Sequence, residues 1–358
     1  MNECEGGVDR PFASSADAVK ALIEAVRGAN NCLIVTHDDP DPDAIASAVA
    51  LGYLLEQRLG LRPTLAHGGI IGRAENKAMV QLLDIQMRPL YEVDPRRFDV
   101  VALVDAQAGV GNVGLPDDVL PTLLIDHHSD VQSDVTGIPF VDVRPACGAT
   151  STMLTDYLKA AAVLPDRRVA TALFYGIKSD TMGLARSAGD HDVEAYLYLL
   201  PLADNKILAE IEHAQVPLAY FRAFERALER TFIYRDVVIS SLGEMDWPDL
   251  AAEMADFLLR WEGARWIICM GLFDDEVVIS VRTNDLEGNA GQVVREVVAG
   301  LGTGGGHGLL AGGRVVLDGQ SPRDMVRQLR RRFLLRLGRE ESEGEKLIQE
   351  PPRGDLAK

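Results

Sequence analysis

Cysteine is scarce in this 358-residue sequence, and its few cysteines form no motif. The four of them, Cys4, Cys32, Cys147 and Cys269, stand far apart without a C-x-x-C pair. Neither a zinc knuckle nor a disulfide framework is therefore indicated. Reduced thiols in a cytoplasmic protein fit this pattern best.

Long apolar runs are also missing. No stretch approaches the roughly 18 apolar residues that a membrane span requires. The acidic beginning of the chain, residues 1–5, has neither the basic nor the apolar region of a secretion signal. We therefore expect a soluble, unexported protein that does not bind membranes.

Positive charge is in short supply. There are 36 Lys and Arg against 54 Asp and Glu, which gives a formal net charge of -18. Such a balance argues against binding duplex nucleic acid, because that binding depends on cations that neutralise phosphates. A small anionic substrate held by metal ions stays allowed, and some of the acidic side chains could themselves be metal ligands.

What the sequence does contain is a series of apolar runs that alternate with helical segments, which predicts a doubly wound α/β sheet. The expected strands lie over residues 32–36, 62–66, 98–104, 123–125 and 141–143. Further runs at residues 237–240, 266–270 and 277–281 predict a second, smaller α/β domain.

Histidine and aspartate cluster where several of these elements end. In an open α/β sheet, ligands bind at the carboxyl edge of the strands. Residues 37–43 alone are better explained as a cap or solvated turn, but side chains from four segments are difficult to explain as surface charge. We expect six of them to form a metal site: His37, Asp41, Asp43, Asp105, His127 and Asp180.

The chemistry of this ligand set indicates the metal. Imidazole and carboxylate without thiolate favour Mn²⁺, with Co²⁺, Fe²⁺ or Mg²⁺ as substitutes, over a structural zinc. Two ions roughly 3.5–4 Å apart could clamp the attacking and leaving oxygens of a phosphoryl group. Asp105 is the candidate bridging carboxylate. His128 would either face the substrate or support the ligands from behind.

Two other segments are candidates for anion binding. Residues 147–152 open a helix with small and hydroxyl side chains, which suit a phosphate contact and a plain helix cap equally. A glycine loop at residues 302–308 would let backbone amides approach an anion, and Arg282 could add a bidentate phosphate contact. Glycine-rich turns more often serve backbone geometry alone.

Together these residues resemble the DHH superfamily of phosphoesterases, specifically its DHH-DHHA1 branch, over about residues 16–325. The resemblance rests on five motifs in order: His37-x-x-x-Asp41-x-Asp43, Asp105, Asp126-His127-His128, Asp180-Thr181, and Gly304-Gly305-Gly306-His307 followed by Ala311-Gly312. It implies a parallel-sheet DHH domain and a smaller α/β DHHA1 substrate-binding domain, with the active site in the cleft between them. The expected divisions are a flexible leader (1–14), the DHH catalytic domain (15–190), a helical linker (191–230), the DHHA1 domain (231–338) and a charged flexible tail (339–358).

Carried over position by position, the resemblance assigns roles. One metal would be held by His37, Asp41 and Asp105, and the other by Asp43, Asp105, His127 and Asp180. Asp105 and His128 would be catalytic, with His128 contacting the scissile phosphate. The substrate-binding residues would be Arg282, Gly304, Gly305, Gly306 and His307.

The resemblance also implies an activity. It is that of a manganese-dependent hydrolase, like the nanoRNase/pAp phosphatases, which cleaves short single-stranded oligoribonucleotides or dinucleotides to nucleoside 5′-monophosphates and pAp to AMP. A phosphodiesterase for cyclic or linear dinucleotide second messengers stays open, as does a non-catalytic nucleotide sensor. Leu184 and Leu310 depart from the usual motifs and leave substrate preference open. Homodimers are common in such folds.

Overall fold

The computed structural model describes residues 12–107, 113–128 and 135–348. The chain divides into two compact units, residues 1–214 and 215–358. Most of the predicted leader, residues 1–11, and the end of the predicted tail, residues 349–358, lie outside the described part.

The described residues of the first unit form six strands, seven α-helices and two short 3-10 helices, Leu90–Glu92 and Pro95–Arg97. The strands are β1 (Cys32–Val35), β2 (Thr64–His67), β3 (Met87–Pro89), β4 (Val100–Val104), β5 (Leu123–Asp126) and β6 (Phe140–Val143). The helices are α1 (Ser15–Ala25), α2 (Pro42–Leu59), α3 (Ala74–Leu82), α4 (Thr150–Ala160), α5 (Arg167–Asp180), α6 (Asp190–Leu199) and α7 (Asn205–Glu212).

All six strands are parallel and follow the order β3-β2-β1-β4-β5-β6. Strands β1, β4 and β5 are buried throughout. The α-helices pack on one face of this sheet, whereas side chains outside the α-helices, among them Leu90, Phe98 and Leu115, pack on the other, so the helical cover on both faces that a doubly wound sheet implies was wrong. The order reverses between β1 and β4, and such a reversal opens a crevice at the carboxyl ends of the two strands. The predicted α/β fold is confirmed. Strand β3 was not predicted, because its three residues contain no apolar run.

Helix α2 begins at the acidic loop. The side chain of Asp41 caps it by accepting a hydrogen bond from the backbone N–H of Ala44 at 3.0 Å, and Pro42 occupies the first turn. Gly60, with φ +67°, ends it in the left-handed conformation. The acidic loop thus does serve as a helix cap, and it positions Asp43 inside the first turn at the same time.

The second unit is a mixed sheet with helices on both faces. Its described strands are β7 (Thr231–Tyr234), β8 (Val237–Glu244), β9 (Trp266–Phe273), β10 (Glu276–Thr283), β11 (Thr303–His307), β12 (Leu310–Val316) and β13 (Glu345–Lys346). Its described helices are α8 (Leu218–Glu229), α9 (Leu250–Leu258), α10 (Ala290–Val298) and α11 (Pro322–Arg336). The strand order is β11-β12-β10-β9-β8-β7-β13, and only the β8–β9 pair is parallel among these described strands. Helices α10 and α11 contribute to the core on one face, and α8 and α9 to the core on the other.

The expected glycine loop is instead a strand, so that prediction of local structure was wrong. Residues Thr303–His307 pair with β12 along their whole length. The glycines are needed because helix α10 packs directly on this strand: a Cβ at Gly304 would lie 2.6 Å from Val294 Cγ1. Gly306 has φ +131°, which side-chain-bearing residues rarely adopt.

The segment predicted as a helical linker is divided between the two units. Helices α6 and α7 belong to the first unit, whereas α8 belongs to the second. Beyond Arg339, β13 pairs with β7. That an active site lies between two domains stays a prediction. Every helix among the described residues is either too short or too polar to cross a lipid bilayer.

Candidate metal centre

The crevice between β1 and β4 is where the predicted ligands begin. His37 lies two residues beyond β1, and Asp105 directly follows β4. The backbone N–H of Asp105 still donates to the carbonyl of Ile125 at 2.9 Å, but its φ of +54° turns the chain away from the sheet. A left-handed aspartate is uncommon, and such strain is typical of functional sites.

The structure brings all six predicted metal ligands together, and His128 with them. Three groups each place their ligand atoms within 4.8 Å of one another: His37 with Asp41 and Asp105; Asp43 with His127 and Asp180; and Asp105 with His127 and His128. The first group contains the same residues as one ligand set that the sequence resemblance implies, and the second contains the other set without Asp105. They come from the loop after β1, the ends of β4 and β5, helix α2 and the last residue of α5.

Asp105 lies between the two groups and faces both. Its Oδ2 is 3.7 Å from His37 Nε2, and its Oδ1 is 3.6 Å from His127 Nε2. The side chain is almost completely buried, and Thr150 Oγ1 donates to Oδ1 at 2.9 Å. One carboxylate thus directs one oxygen to each histidine, which is the arrangement of a carboxylate that bridges two cations.

Both histidines are oriented by backbone carbonyls. His37 Nδ1 lies 2.8 Å from the carbonyl oxygen of Asp38, and His127 Nδ1 lies 3.2 Å from that of Cys147. A ring that donates from Nδ1 directs the lone pair of Nε2 at the carboxylates, as in most metal-ligating histidines. A lone pair facing carboxylate oxygens needs a cation between them, either a proton or a metal.

Asp43 is held by a helix that is distant in sequence. The backbone N–H groups of Thr150 and Ser151 donate to its two oxygens at 2.7 and 2.8 Å. The sequence of residues 147–152 suits a phosphate contact and a helix cap equally, and in the structure these two N–H groups bind Asp43. The start of α4 thereby fixes a predicted ligand.

Two residues that support His128 were not predicted as site residues. Asp126 is buried, and its Oδ1 lies 2.7 Å from His128 Nδ1. Its Oδ2 accepts a hydrogen bond from Gln107 Nε2 at 2.5 Å. The His128 side chain is 42% exposed, in contrast to 12% for His127, so it borders solvent whereas His127 is enclosed. The sequence signal for a role of Gln107 in the site is its position two residues after Asp105.

Burial and mutual repulsion dominate the electrostatics. Burial, together with the charges of Asp43 and Asp41, raises the pKa of Asp180 to about 7. Burial and the charge of Asp43 raise the pKa of Asp105 well above its usual value. Burial alone would lower the pKa of His37, but the nearby carboxylates of Asp41, 3.9 Å from Nε2, and Asp105 raise it to about 10. These side chains therefore keep their protons at pH values where free side chains would lose them. Positive charge, from protons or from metal ions, stabilises the cluster.

These residues fit divalent cations. Imidazole nitrogens and carboxylate oxygens converge without thiolate, backbone carbonyls orient His37 and His127, and several carboxylates lie close together. Hard and borderline divalent ions prefer such donors. The site is a candidate metal centre.

The predicted substrate-binding residues belong to the second unit. Arg282 and His307 are each paired with Leu310 in the backbone register, so the three residues form one row across β10, β12 and β11. Arg282 is nearly buried; its Nε donates to Asp256 Oδ1 at 2.5 Å and its Nη1 to Ser280 Oγ at 2.8 Å. Of the guanidinium nitrogens, Nη2 is the one that donates to none of the described residues.

Comparison with known proteins identifies the family. Residues 31–177 match the DHH family, N-terminal domain. These residues form a domain of the DHH superfamily. An uncharacterized protein of Methanocaldococcus jannaschii is 38% identical over 80% of this chain and 58% of its own length. The cyclic-di-AMP phosphodiesterase PdeA of Listeria monocytogenes is 23% identical over 80% of this chain and 45% of its own length.

Among solved structures, an exopolyphosphatase-related protein from Bacteroides fragilis superimposes with a TM-score of 0.68. The alignment covers 89% of this chain and 97% of that one at 16% identity, so the likeness concerns the fold. The chain spans about half the length of the curated relatives it matches. For this DHH protein, membership of the DHHA1 branch stays a prediction.

Proposed function

We propose that this DHH protein is a two-metal phosphoesterase that hydrolyses short oligoribonucleotides and dinucleotides to nucleoside 5′-monophosphates, and pAp to AMP. The observation that carries the proposal is Asp105, whose two oxygens face His37 and His127 separately. A bridging carboxylate with separate ligand sets on either side is the basis of two-metal phosphoryl chemistry.

The ligands divide between two ions in this proposal. His37, Asp41 and Asp105 would hold one, and Asp43, Asp105, His127 and Asp180 the other. Mn²⁺ suits this mixture best, with Co²⁺, Fe²⁺ or Mg²⁺ as substitutes. When bound, such ions lower the pKa of coordinated water and withdraw negative charge from phosphoryl oxygens.

His128 is the group placed to touch the substrate. Burial alone would lower its pKa, but the hydrogen bond that the ring donates to Asp126 and the charge of Asp105 raise it to about 10. Asp126 accepts from Nδ1, so the protonated ring would donate from Nε2 to an oxygen of the scissile phosphate. In hydrolysis, water attacks phosphorus, the bond to the 3′-oxygen of the leaving nucleotide breaks, and that oxygen gains a proton.

We assign substrate binding to the second unit, through Arg282 and the Gly304, Gly305, Gly306 and His307 segment. The shared row of Arg282, Leu310 and His307 supports a single binding surface. Arg282 would offer Nη2 to a phosphate while Asp256 holds Nε. Leu310, where the motif usually has alanine, occupies the middle of the row and would influence which base or chain length fits.

A second candidate is a phosphodiesterase of cyclic or linear dinucleotide second messengers. The similarity to a cyclic-di-AMP phosphodiesterase over 80% of this chain favours it. Both candidates use the same metal centre and differ in the substrate.

The deciding experiment is hydrolysis with Mn²⁺ and with chelator of pAp, linear dinucleotides, a five-nucleotide RNA and cyclic dinucleotides. Metal-dependent release of mononucleotides from the linear substrates is the result we expect. Activity confined to cyclic dinucleotides would favour the second candidate. Binding of nucleotides without any hydrolysis would overturn both and indicate a sensor.

A further inference from the structure

Asp192 is a completely buried carboxylate on helix α6 that no motif includes. It accepts hydrogen bonds from three groups of the chain. Gly148 N–H lies 3.0 and 2.9 Å from its two oxygens, Thr152 Oγ1 donates to Oδ1 at 2.5 Å, and Gly189 N–H donates to Oδ2 at 2.8 Å. Two of these donors belong to residues 147–152.

Residues 147–152 contact three of the proposed metal ligands. The carbonyl of Cys147 orients His127, the N–H groups of Thr150 and Ser151 bind Asp43, and the hydroxyl of Thr150 binds Asp105. The ligand contacts therefore alternate along this segment with the two groups, Gly148 N–H and Thr152 Oγ1, that bind Asp192.

The packing around Gly148 leaves little freedom. A Cβ at this position would lie 2.8 Å from the carbonyl oxygen of Ser187, 2.8 Å from Thr181 Cγ2 and 3.2 Å from Asp192 Oδ2. Thr181 directly follows the ligand Asp180. The backbone at Gly148 is thus enclosed between Asp192 and the loop that follows Asp180.

A simpler role for Asp192 is to cap its own helix. The bond from Gly189 N–H is a normal capping contact for α6. Capping does not account for Gly148 and Thr152, which lie 44 and 40 residues earlier in the chain. A buried carboxylate that satisfies donors on both sides ties α6 to the segment behind the metal centre.

We propose that Asp192 is a positioning residue for the metal centre: through Gly148 and Thr152 it fixes residues 147–152, and through them His127, Asp43 and Asp105. The inference rests on the proposed metal-dependent function. Outer contacts of this kind affect metal affinity by roughly 10–100-fold when they are removed.

The test measures Mn²⁺ affinity by calorimetry in Asp192→Asn, with melting temperature in chelator measured alongside. Asn keeps the volume but turns an NH₂ group toward N–H donors. Tyr157→Phe is the matched control, because the Tyr157 hydroxyl donates to buried Asp142 at 2.5 Å from the same helix α4 without contacting a ligand. Thr152→Val removes only the hydroxyl contact and serves if Asp192→Asn does not fold.

We expect Asp192→Asn to weaken Mn²⁺ binding roughly 10–100-fold, Thr152→Val to weaken it by a smaller factor, and Tyr157→Phe to lower the melting temperature while keeping wild-type affinity. Hydrolysis by Asp192→Asn should recover when Mn²⁺ is raised. Wild-type affinity in both Asp192→Asn and Thr152→Val would overturn this inference and leave the proposed function standing. An equal loss of affinity in Tyr157→Phe would also overturn it. A wild-type chain that binds no Mn²⁺ would overturn the proposed function, and the inference with it.

Discussion

Single residues at the candidate metal centre have features that lower the stability of the fold. Asp105 combines near-complete burial, a left-handed backbone and a pKa raised by burial and by Asp43. A buried carboxylate in this setting destabilises the metal-free fold, because its charged form loses hydration and meets other carboxylates. Asp142 is also completely buried, but Arg144 and Tyr157 donate to it.

Asp105→Asn should therefore raise the melting temperature in chelator while it abolishes metal-dependent hydrolysis. Each kcal/mol of relieved repulsion corresponds to roughly 2–4 °C in a domain of this size. The loss of activity should exceed the roughly 10–100-fold effect of an outer contact. Asp142→Asn is the control and should lower the melting temperature, since it leaves Arg144 without its full partner. Stabilisation in neither variant, or in both, would contradict this account of Asp105.

His127 and His128 are neighbours in sequence with different expected roles. His127→Gln should weaken Mn²⁺ binding, because its Nε2 faces Asp105 and Asp180. His128→Gln should keep most of the metal affinity and lose turnover by roughly 10²–10⁴-fold, the range of a lost acid or base. Calorimetry and kcat at saturating Mn²⁺ separate the two. Equal affinity for Mn²⁺ in both variants would contradict the different roles of the two histidines.

At the scale of elements, the sequence predicts what depends on local pattern. The buried runs of β1, β4 and β5 and the histidines and acids after them could be predicted, since parallel strands deliver their ends to one edge. The Asp43 contact with α4 could not, because 107 residues separate Asp43 from Thr150. Strand β11 was missed for a similar reason: its glycines disfavour a strand locally, and pairing with β12 outweighs that preference.

Helix–helix packing gives a prediction for two glycines. Gly176 in α5 would place a Cβ 2.4 Å from Ser151 Oγ and 3.3 Å from Asp43 Cα, whereas Gly52 in α2 would make contacts of 3.6 Å or more. Gly176→Ala should cost roughly 1–3 kcal/mol through overpacking and should weaken Mn²⁺ binding by displacing Asp43. Gly52→Ala should be neutral or stabilising by up to about 1 kcal/mol, the helix preference for alanine. Urea unfolding measures both, and a destabilising Gly52→Ala would mean that packing at these helices is tighter than the distances indicate.

At the scale of the whole molecule, we expect the net charge of -18 and the candidate metal centre to make stability depend on pH and cations. In the metal-free protein, the pKa of Asp180 is raised to about 7 by burial and neighbouring carboxylates. Its destabilising effect is absent below the unfolded pKa of about 4 and complete above 7. Despite burial, which lowers it, the pKa of His37 is raised to about 10 by Asp41 and Asp105. The stabilisation from His37 is complete below the unfolded pKa of about 6.5 and is lost as pH rises toward 10.

Both effects have the same sign, so the melting temperature in chelator should fall as pH rises from 6 to 8.5. In excess Mn²⁺, the stabilisation that comes from metal binding should increase as pH rises. The reason is that metal binding requires deprotonated ligands, and its stabilisation grows with affinity. The difference between the Mn²⁺ and chelator melting curves should therefore widen with pH. His37→Gln should reduce the slope in chelator above pH 6.5, where His37 loses its proton only in the unfolded chain. A metal-free protein that melts at a higher temperature at pH 8.5 than at pH 6 would contradict this prediction. Other charges would then compensate the carboxylates and histidines of the cluster, and the need for cations at the centre would lose its physical basis.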